Sequence, residues 1–297
     1  MDLSKIAWPK PGKYIIGVSG GVDSMVLLHV LAAWGDYELV PVYVDHGWRD
    51  TAEDWRAVER LAAELGLKSF RMELELKTSS EEEAREARYR VLREEAKKSG
   101  SNGIVTAHHH DDLFETVLIN VIRGTGRHGL TPFSDDSILR PMLNIRRSQI
   151  ELYASEHNIE WAEDPSNKDT KYLRNRIRHE LIPNLRNEAK AKIEQQILEA
   201  QTLNKEVDEE LQKLINKKGH LIEIPLQNAI NQTPQAIQEV IVFAARQLEP
   251  GVEINRRAVE QLAIDLKNDR LKKPRALSKR LSASASHGTF TIAFKAR

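Results

Sequence analysis

The sequence has no cysteine. This absence excludes disulfide bonds, thiolate zinc sites, iron–sulfur clusters held by cysteine and a cysteine nucleophile. Long hydrophobic runs are also missing: no segment approaches the roughly 20 apolar residues that a helix needs to cross a bilayer. The N-terminal residues lack the apolar core of a signal peptide. We therefore expect a soluble, cytoplasmic protein with no membrane partner.

An excess of charge of either sign is the third feature that the sequence lacks. The 44 Lys and Arg residues balance the 44 Asp and Glu residues. A surface for nucleic acid must therefore be local, because the chain as a whole does not attract a polyanion. The 297 residues are sufficient for two domains, each with its own hydrophobic core.

The most distinctive motif is a glycine-rich turn at residues 19–24, between a strand-like run at 14–18 and a helical run at 25–34. Adjacent glycines let the backbone turn sharply with its amides pointing inward, and the following helix directs its positive end at the turn. This arrangement is suited to holding phosphate. It is not a Walker A motif, because no lysine follows the second glycine. Its members are Ser19, Gly20, Gly21, Val22, Asp23 and Ser24.

Asp23 is the unusual member of this motif, because a carboxylate repels phosphate. Its presence is explained if it holds a magnesium ion that bridges to the phosphates. The motif resembles the pyrophosphate loop of enzymes that split ATP into AMP and pyrophosphate. The alternative interpretation is a tight strand-to-helix turn with a capping aspartate.

Strands and helices alternate through the first part of the chain. Strands are predicted at 39–44, 70–76 and 104–107, and helices at 51–65, 80–98 and 111–122. This order predicts an α/β domain with a parallel sheet and helices on both faces. Ligands bind beyond the carboxyl ends of such strands. The 19–24 turn, Asp45 with His46, and residues 108–112 all fall there.

The pattern changes near Pro183. Residues 188–218 predict a long polar helix with an apolar stripe, followed by helices at 234–247 and 255–267 and a final strand at 289–294. We therefore predict a pyrophosphate-loop ATP-binding catalytic domain at 1–187, a linker helix at 188–218, and a smaller, mainly helical domain at 219–297.

Further motifs resemble those of the tRNA(Ile)-lysidine synthetases and occur in the same order. Beyond residue 190 the resemblance is only architectural, and the chain is similar to the short form without a further C-terminal domain. Trp48 is a departure, since the family more often has leucine there. The matching segments are 44–49, 84–92, 106–116, 123–130, 140–141, 164–167 and 169–178.

The resemblance implies a ligase that acts in two steps. ATP would activate carbon 2 of the wobble cytidine in an isoleucine tRNA with a CAU anticodon, with release of pyrophosphate. The side-chain amine of free lysine would then displace AMP and form lysidine, which changes codon and charging specificity from methionine to isoleucine. The resemblance thus implies ATP as a substrate, Mg²⁺ as a cofactor, and tRNA and L-lysine as partners. A homodimer is left open.

The resemblance also implies site residues. The catalytic set is Asp23, Asp112, Glu115 and Arg178, with Asp23 and Asp112 as magnesium ligands. Because Asp112 and Glu115 lie three apart on a helix, they can converge on one cation, either magnesium or the ammonium of lysine. Asp111 has a competing explanation, as a first-turn carboxylate that favours the helix dipole. The expected nucleotide-binding residues are the 19–24 loop, Asp45, His46, His108, Arg123 and Gly124.

The run of three histidines at 108–110 is not interpreted as a zinc site, because consecutive residues cannot easily aim three imidazoles at one point. His108 is expected to contact nucleotide or to orient Asp112, whereas His109 and His110 are expected to be solvated or packed. His46 as a mere turn residue remains an alternative.

Basic residues predict where tRNA binds. Arg174 lies in a basic segment near Arg178, and residues 267–280 are the most basic stretch of the chain. A solvated helix face and a flexible basic linker are the respective alternatives. The predicted tRNA contacts are Arg174, Lys272, Lys273 and Arg275.

Two other functions are considered. Another pyrophosphate-loop enzyme, such as a tRNA thiolase or an NAD or GMP synthetase, would share the 19–24 loop. Thiolases carry sulfur on cysteines, which this chain lacks, and the synthetases lack the motifs from 123 to 178. A non-catalytic nucleotide-binding module would not need the acidic pair of Asp112 and Glu115.

Overall fold

The computed structural model of the protein describes residues 1–47, 50–74, 81–133, 135, 137–163, 169–249, 252, 254–271 and 273–295. The chain divides into two compact units, Met1–Gln195 and Gln196–Arg297. Among the described helices, none combines the length and the apolar character needed to span a membrane. Trp48, Asp164, Pro165 and Lys272, which the sequence motifs include, lie outside the described residues.

The first unit is built on a five-stranded sheet in the order β3-β2-β1-β4-β5. Every neighbouring pair of strands is parallel. The predicted parallel α/β architecture is therefore confirmed. The strands are β1 (Gly12–Val18), β2 (Tyr37–Asp45), β3 (Phe70–Glu73), β4 (Gly103–Val105) and β5 (Ile138–Leu139).

Helices cover both faces of this sheet. On one face, α1, α2 and α5 pack with a core that includes Met25, Val58 and Ile150. On the other face, Leu92 of α3 packs with Ile15 of β1 and its neighbours. Burial on both faces explains why β1, β2 and β4 are rich in apolar residues. The helices are α1 (Val22–Trp34), α2 (Ala52–Glu64), α3 (Glu81–Ser99), α4 (His110–Ile122) and α5 (Arg147–Glu156).

The strand order fixes where a ligand binds. From β1 the chain moves outward to β2 and β3, and then returns to β4 on the other side of β1. Helices on opposite faces diverge at such a reversal and leave a crevice at the carboxyl ends of β1 and β4. The 19–24 loop follows β1 and the histidine run follows β4, so both motifs open onto this crevice.

A distorted helical segment follows α5. It consists of α6 (Leu173–Arg176), a π-helical turn (Ile177–Leu181) and α7 (Ile182–Asn184). Residues of α6 and of the π-helical turn pack against α4. π-Helical turns are rare and occur frequently at functional sites. This turn carries Arg178 towards the acidic residues of α4.

The second unit contains more helix than strand, as predicted, but its five-stranded antiparallel sheet was predicted only in its last strand. The sheet order is β6-β7-β10-β9-β8, and its core includes Ile222 and Phe290. The strands are β6 (Asn216–Lys218), β7 (Leu221–Pro225), β8 (Arg275–Ala276), β9 (Leu281–Ser286) and β10 (Thr289–Phe294). The helices are α8 (Asn187–Leu214), which begins in the first unit, α9 (Leu226–Ile230), α10 (Pro234–Leu248) and α11 (Arg256–Lys267).

The long helix α8 ends at Leu214, so the prediction that it continues to Lys218 is wrong. Residues Asn216–Lys218 pair instead with β7 across a turn at Gly219, whose φ is +57°. Glycine adopts this left-handed conformation without steric cost, which permits the chain to reverse there.

Candidate active site

The 19–24 loop is closed by its own serine side chains. The Ser24 hydroxyl accepts a hydrogen bond from the Ser19 backbone N–H at 3.0 Å and donates one to the Gly21 carbonyl at 2.9 Å. The two serine hydroxyl oxygens are 3.2 Å apart. These contacts hold the loop as a compact turn at the N-terminus of α1, a position at which backbone amides commonly bind anions.

Both the backbone conformation at position 20 and the lack of space around it require glycine. The φ of Gly20 is +79°, and a Cβ atom there would lie 2.8 Å from the backbone of Asp54 in the first turn of α2. Its carbonyl accepts a hydrogen bond from the Ala162 N–H at 3.0 Å. The loop is thus fitted against α2 on one side and the segment after α5 on the other.

Asp23 lies in the first turn of α1, with its carboxylate between the imidazole of His109 and the guanidinium of Arg147. Its Oδ1 is buried without a hydrogen-bond partner and lies 3.6 Å from His109 Nε2. Its Oδ2 lies 3.6 Å from a terminal nitrogen of Arg147. Burial opposes ionisation, but His109, Arg147 and Arg178 outweigh it and lower the pKa of Asp23. A buried, ionised carboxylate oxygen with no partner is suited to a cation.

His109 joins this group to α4. Its Nδ1 accepts a hydrogen bond from the Asp112 N–H at 3.3 Å, and the Asp112 carboxylate accepts one from the His109 N–H at 3.2 Å. The imidazole is only 1% exposed, and its Nε2 lies 3.3 Å from Asp112 Oδ2. Burial lowers its pKa, but Asp23, Asp112 and Asp111 outweigh burial and raise it overall.

These contacts correct the predictions for two histidines. His109, expected to be merely solvated or packed, lies between Asp23 and Asp112, and it takes the position beside Asp112 that was assigned to His108. The ring of His108 instead contacts Thr106, at 2.9 Å, and Phe133. Burial and the surrounding arginines, Arg85 first among them, hold the pKa of His108 well below its usual value. Its contact with nucleotide stays a prediction.

The cation that lies beside both Asp112 and Glu115 in this structure is a protein side chain, whereas their convergence on magnesium or on the lysine ammonium stays a prediction. Arg178 donates from Nε and a terminal nitrogen to the two oxygens of Glu115, at 2.6 and 2.8 Å. The same terminal nitrogen lies 3.7 Å from Asp112 Oδ1. Glu115 is 2% exposed, so its charge depends on this pair.

Arg174 also lies beside Asp112. It donates to the Thr116 hydroxyl at 2.8 Å, and its other terminal nitrogen is 3.9 Å from Asp112 Oδ1. Arg174 and Arg178 therefore bring two guanidinium groups to the acidic face of α4. The first unit thus assembles Asp23, Asp112, Glu115, Arg174 and Arg178 into one cluster.

Asp111 makes a contact that was not predicted. Its Oδ2 accepts a hydrogen bond from the backbone N–H of Arg147, the first residue of α5, at 2.6 Å. It therefore ties the N-terminus of α5 to that of α4. Sequence reasoning missed Arg147 as well as His109, because a basic residue at the start of a helix has no local feature that distinguishes it from a solvated one.

The residues after β2 are organised around a turn. Asp45 accepts hydrogen bonds from the Gly47 N–H at 2.8 Å, the Thr51 hydroxyl at 2.5 Å and Arg71 at 2.6 Å. These contacts assign its carboxylate to the turn. Burial and the charge of Arg88 lower the pKa of His46 to about 4, so its imidazole is neutral at pH 7.

Other predicted site residues lie elsewhere. Arg123 and Gly124 follow α4 at the opposite end from Asp112, so about 16 Å of helix separates Arg123 from Asp112. The helix thus does not bring this pair to the cluster, and their predicted contact with ATP gains no support. Arg275, in the second unit, pairs at 2.8 Å with Asp265, whose side chain is 7% exposed. Lys273 is exposed.

The residues present are suited to a magnesium ion whose coordination shell is completed by substrate phosphates. Within the described ranges, no group of three His, Asp or Glu side chains encloses a metal site. Magnesium commonly binds to one or two carboxylates, with waters and substrate phosphates as its remaining ligands. Asp23, with its unpartnered oxygen, and Asp112, which His109 links to it, form such a pair.

Comparison with known proteins is consistent with this geometry. The family model of the PP-loop domain matches residues 3–185. This chain belongs to the PP-loop family. The family's domain is an ATP-binding domain, so the phosphate-loop interpretation of residues 19–24 has independent support.

Curated relatives confirm the resemblance found in the sequence. The chain is 41% identical over 184 residues to a tRNA(Ile)-lysidine synthase of Thermosipho africanus, a match that covers 58% of this chain and 43% of the relative. It is 36% identical over 191 residues to that of Pseudomonas aeruginosa, covering 60% of this chain and 43% of the relative. The matched region therefore spans less than half the length of each of these relatives.

The PP-loop fold is also shared with a solved structure, the U34-tRNA thiolase NcsA of Methanococcus maripaludis with its [4Fe-4S] cluster. The TM-score is 0.54 at 16% identity, and the match covers 65% of this chain and 72% of the thiolase. At this identity the likeness concerns the fold alone.

Proposed function

We propose that this PP-loop protein is a tRNA(Ile)-lysidine synthase. It would use ATP to adenylate the wobble cytidine of an isoleucine tRNA with a CAU anticodon, and then attach L-lysine to carbon 2 of that base. The observation that carries the proposal is that the closed 19–24 loop, which includes Asp23, lies with Asp112 and Glu115 at the crevice between β1 and β4. The identity to tRNA(Ile)-lysidine synthases over the same region supports it.

The main requirement of the adenylation step is that the negative charge of the phosphates is bound and neutralised. The amides of the 19–24 loop and the N-terminus of α1 would bind the phosphates that leave as pyrophosphate. Asp23 and Asp112 would hold Mg²⁺, which neutralises that charge. The protein itself then contributes mainly position, by holding ATP and the cytidine in line.

The lysine step requires a site for an amine beside the adenylated base. In this second step Asp112, rather than Glu115, would hold the lysine ammonium, because Arg178 already occupies both oxygens of Glu115. The role of Asp112 towards Mg²⁺ would then belong to the adenylation step alone. Glu115 then acts as the positioning residue for Arg178, whose guanidinium would lie near the phosphate of the departing AMP. The amine attacks carbon 2, the bond from that carbon to the adenylate oxygen breaks, and a carboxylate of this cluster accepts the amine's proton.

The tRNA is proposed to contact both parts of the chain. Arg174 would contact the substrate strand near the catalytic cluster, within the proposed catalytic domain at 1–187. The linker is proposed to be the part of α8 from 188 to Leu214, and the region 219–297 would bind the tRNA backbone through exposed lysines such as Lys273. Arg275 is assigned instead to the stability of its own unit, because its partner Asp265 is buried.

Pyrophosphate release tests this proposal and separates it from its alternatives. The purified protein is incubated with ATP and Mg²⁺, with and without CAU-anticodon isoleucine tRNA and with and without lysine. We expect pyrophosphate release to require the tRNA, and AMP release to require lysine as well. Release without tRNA would assign the chain to another class of PP-loop enzyme, and no release would indicate a nucleotide-binding module without turnover.

A further inference from the structure

Arg147 is the cation nearest to the carboxylate of Asp23 on the α5 side of the loop. One of its terminal nitrogens lies 3.6 Å from Asp23 Oδ2, which is too far for a hydrogen bond. Its side chain is 36% exposed and thus partly open to solvent. It belongs neither to the sequence motifs identified above nor to the proposed catalytic set.

The backbone of Arg147 is held in place from two directions. Its N–H donates to Asp111 Oδ2 at 2.6 Å, which fixes the start of α5 against the start of α4. One turn further along, Ile150 is fully buried in the core that α5 shares with α1. Since Asp23 belongs to α1 and Asp111 to α4, Arg147 is anchored by the two helices that frame the crevice.

The side chain of Arg147 retains free hydrogen-bonding capacity. Its Nε donates to Glu151 Oε1 at 2.9 Å. Its two terminal nitrogens make no hydrogen bond to any residue in the described part of the chain. A guanidinium with both terminal NH₂ groups available matches the oxygens of a phosphate, to which arginine binds in a bidentate manner.

We propose that Arg147 binds the phosphates of ATP that leave as pyrophosphate, and that Asp111 is its positioning residue. The inference rests on the proposed function only in taking the 19–24 loop as the pyrophosphate site. Arg147 would approach these phosphates from α5 while the loop amides approach them from α1. The sequence left the role of Asp111 open. In this proposal Asp111 acts by positioning Arg147.

Binding of inorganic pyrophosphate, measured by calorimetry in the presence of Mg²⁺, tests the proposal without turnover. Arg147→Ala is expected to weaken binding by about ten- to a hundredfold, the value of a lost charge-assisted hydrogen bond. Arg147→Lys should recover part of the loss, since it restores the charge but not the bidentate geometry. Arg147→Gln, close in size, serves if the alanine variant is unstable.

The adjacent Arg146 provides a matched control. It carries the same charge, but it pairs with Glu194 at 3.0 Å and its side chain is 55% exposed. Arg146→Ala is expected to leave pyrophosphate affinity unchanged. For the positioning role, Asp111→Ala should weaken pyrophosphate binding, and Asp111→Asn, which keeps an oxygen acceptor, should restore most of it.

Three outcomes would overturn the inference: equal affinity in the wild type, Arg147→Ala and Arg147→Gln; an equal loss in Arg146→Ala; or no pyrophosphate binding by the wild type. Failure of the proposed function is recognised separately. In that case the wild type transfers no lysine to tRNA, while the loss of pyrophosphate affinity in Arg147→Ala remains.

Discussion

The guanidinium of Arg178 donates a hydrogen bond to each carboxylate oxygen of Glu115, at 2.6 and 2.8 Å. The pair connects the π-helical turn to α4 and brings a positive charge within 3.7 Å of Asp112. Because Glu115 is almost fully buried, removal of either partner leaves the other charge unpaired in a low-dielectric environment. Glu115 thus positions Arg178, and the two residues are expected to act as a unit.

A double-mutant cycle tests this unit. Glu115→Gln and Arg178→Ala should each lower the rates of both half-reactions, and the double variant should be little worse than either single variant. We expect a coupling free energy of about 1–3 kcal/mol, because the variants remove the same contact. The measurement is single-turnover kinetics with labelled ATP, with and without lysine.

The alternative role of Glu115, direct binding of the lysine ammonium, gives a different result in the same experiment. Glu115→Gln would then raise the Michaelis constant for lysine and let adenylated tRNA accumulate, whereas Arg178→Ala would not. Additive effects of the two substitutions would contradict the coupling proposed for this pair.

Gly20→Ala should disrupt the phosphate loop. The new Cβ would lie 2.8 Å from the backbone of Asp54, and the φ of +79° is unfavourable for alanine. We expect a loss of at least about 1 kcal/mol in the free energy of unfolding, and a large loss of ATP affinity. Chemical denaturation and nucleotide binding measure the two effects.

Gly21→Ala is the matched control for this variant. The φ of Gly21 is −74°, and an added Cβ would meet only the Ser19 hydroxyl, at an ordinary distance of 3.6 Å. Its effect on stability should therefore be small. Equal damage from both substitutions would show that the fit of Gly20 against Asp54 is not what sets the loop.

The depressed pKa of His46 predicts a loss of stability in acid. The pKa is about 4 in the folded protein and about 6.5 in an unfolded chain. The unfolded state therefore binds more protons between these values, so the contribution of His46 is complete above pH 6.5 and declines as the pH falls towards 4. Urea denaturation across this range should show a shallower decline for His46→Asn than for the wild type, and parallel curves would contradict the shift.

In the second unit, exposed charges are expected to affect tRNA binding, whereas a charge paired with a buried residue is expected to affect stability. Lys273 and Lys279 are exposed, so replacing both with Glu should lower the slope of log affinity for tRNA against log salt by about two units. The melting temperature should hardly change. Arg275→Glu should instead lower the melting temperature, because it leaves Asp265 buried beside a like charge. An unchanged salt slope in the double lysine variant would remove these residues from the tRNA surface.

The sequence predicted the features that depend on local pattern. The apolar runs of β1, β2 and β4 and the glycine-rich turn identified the parallel sheet and its loop, because hydrophobic periodicity and glycine chemistry are local signals. Most of the sheet of the second unit was missed. Its strand β8 has two residues and β6 has three polar ones, so neither carries a periodic signal.

The same limit explains the errors in the site. Asp112, Glu115 and Arg178 were all predicted as site residues, but the pairing of Arg178 with Glu115 was not, because the two are 63 residues apart in sequence. Arg147 and His109 acquire their roles only when α5 and α4 meet α1, which is a tertiary relationship. The predicted contact of Arg123 with the nucleotide gained no support from α4, because spacing along the chain does not show which end of that helix faces the crevice.

Transfer of lysine to tRNA tests the central claim most directly. Radiolabelled lysine is incubated with the protein, ATP, Mg²⁺ and an isoleucine tRNA with a CAU anticodon, and the nucleosides are identified after digestion. The account predicts lysidine at the wobble position, dependent on ATP, no product with methionine tRNA, and a loss of turnover in Asp23→Asn despite normal folding. The account would be contradicted if the wild type transferred no radiolabelled lysine to the tRNA, or if Asp23→Asn were fully active at saturating Mg²⁺.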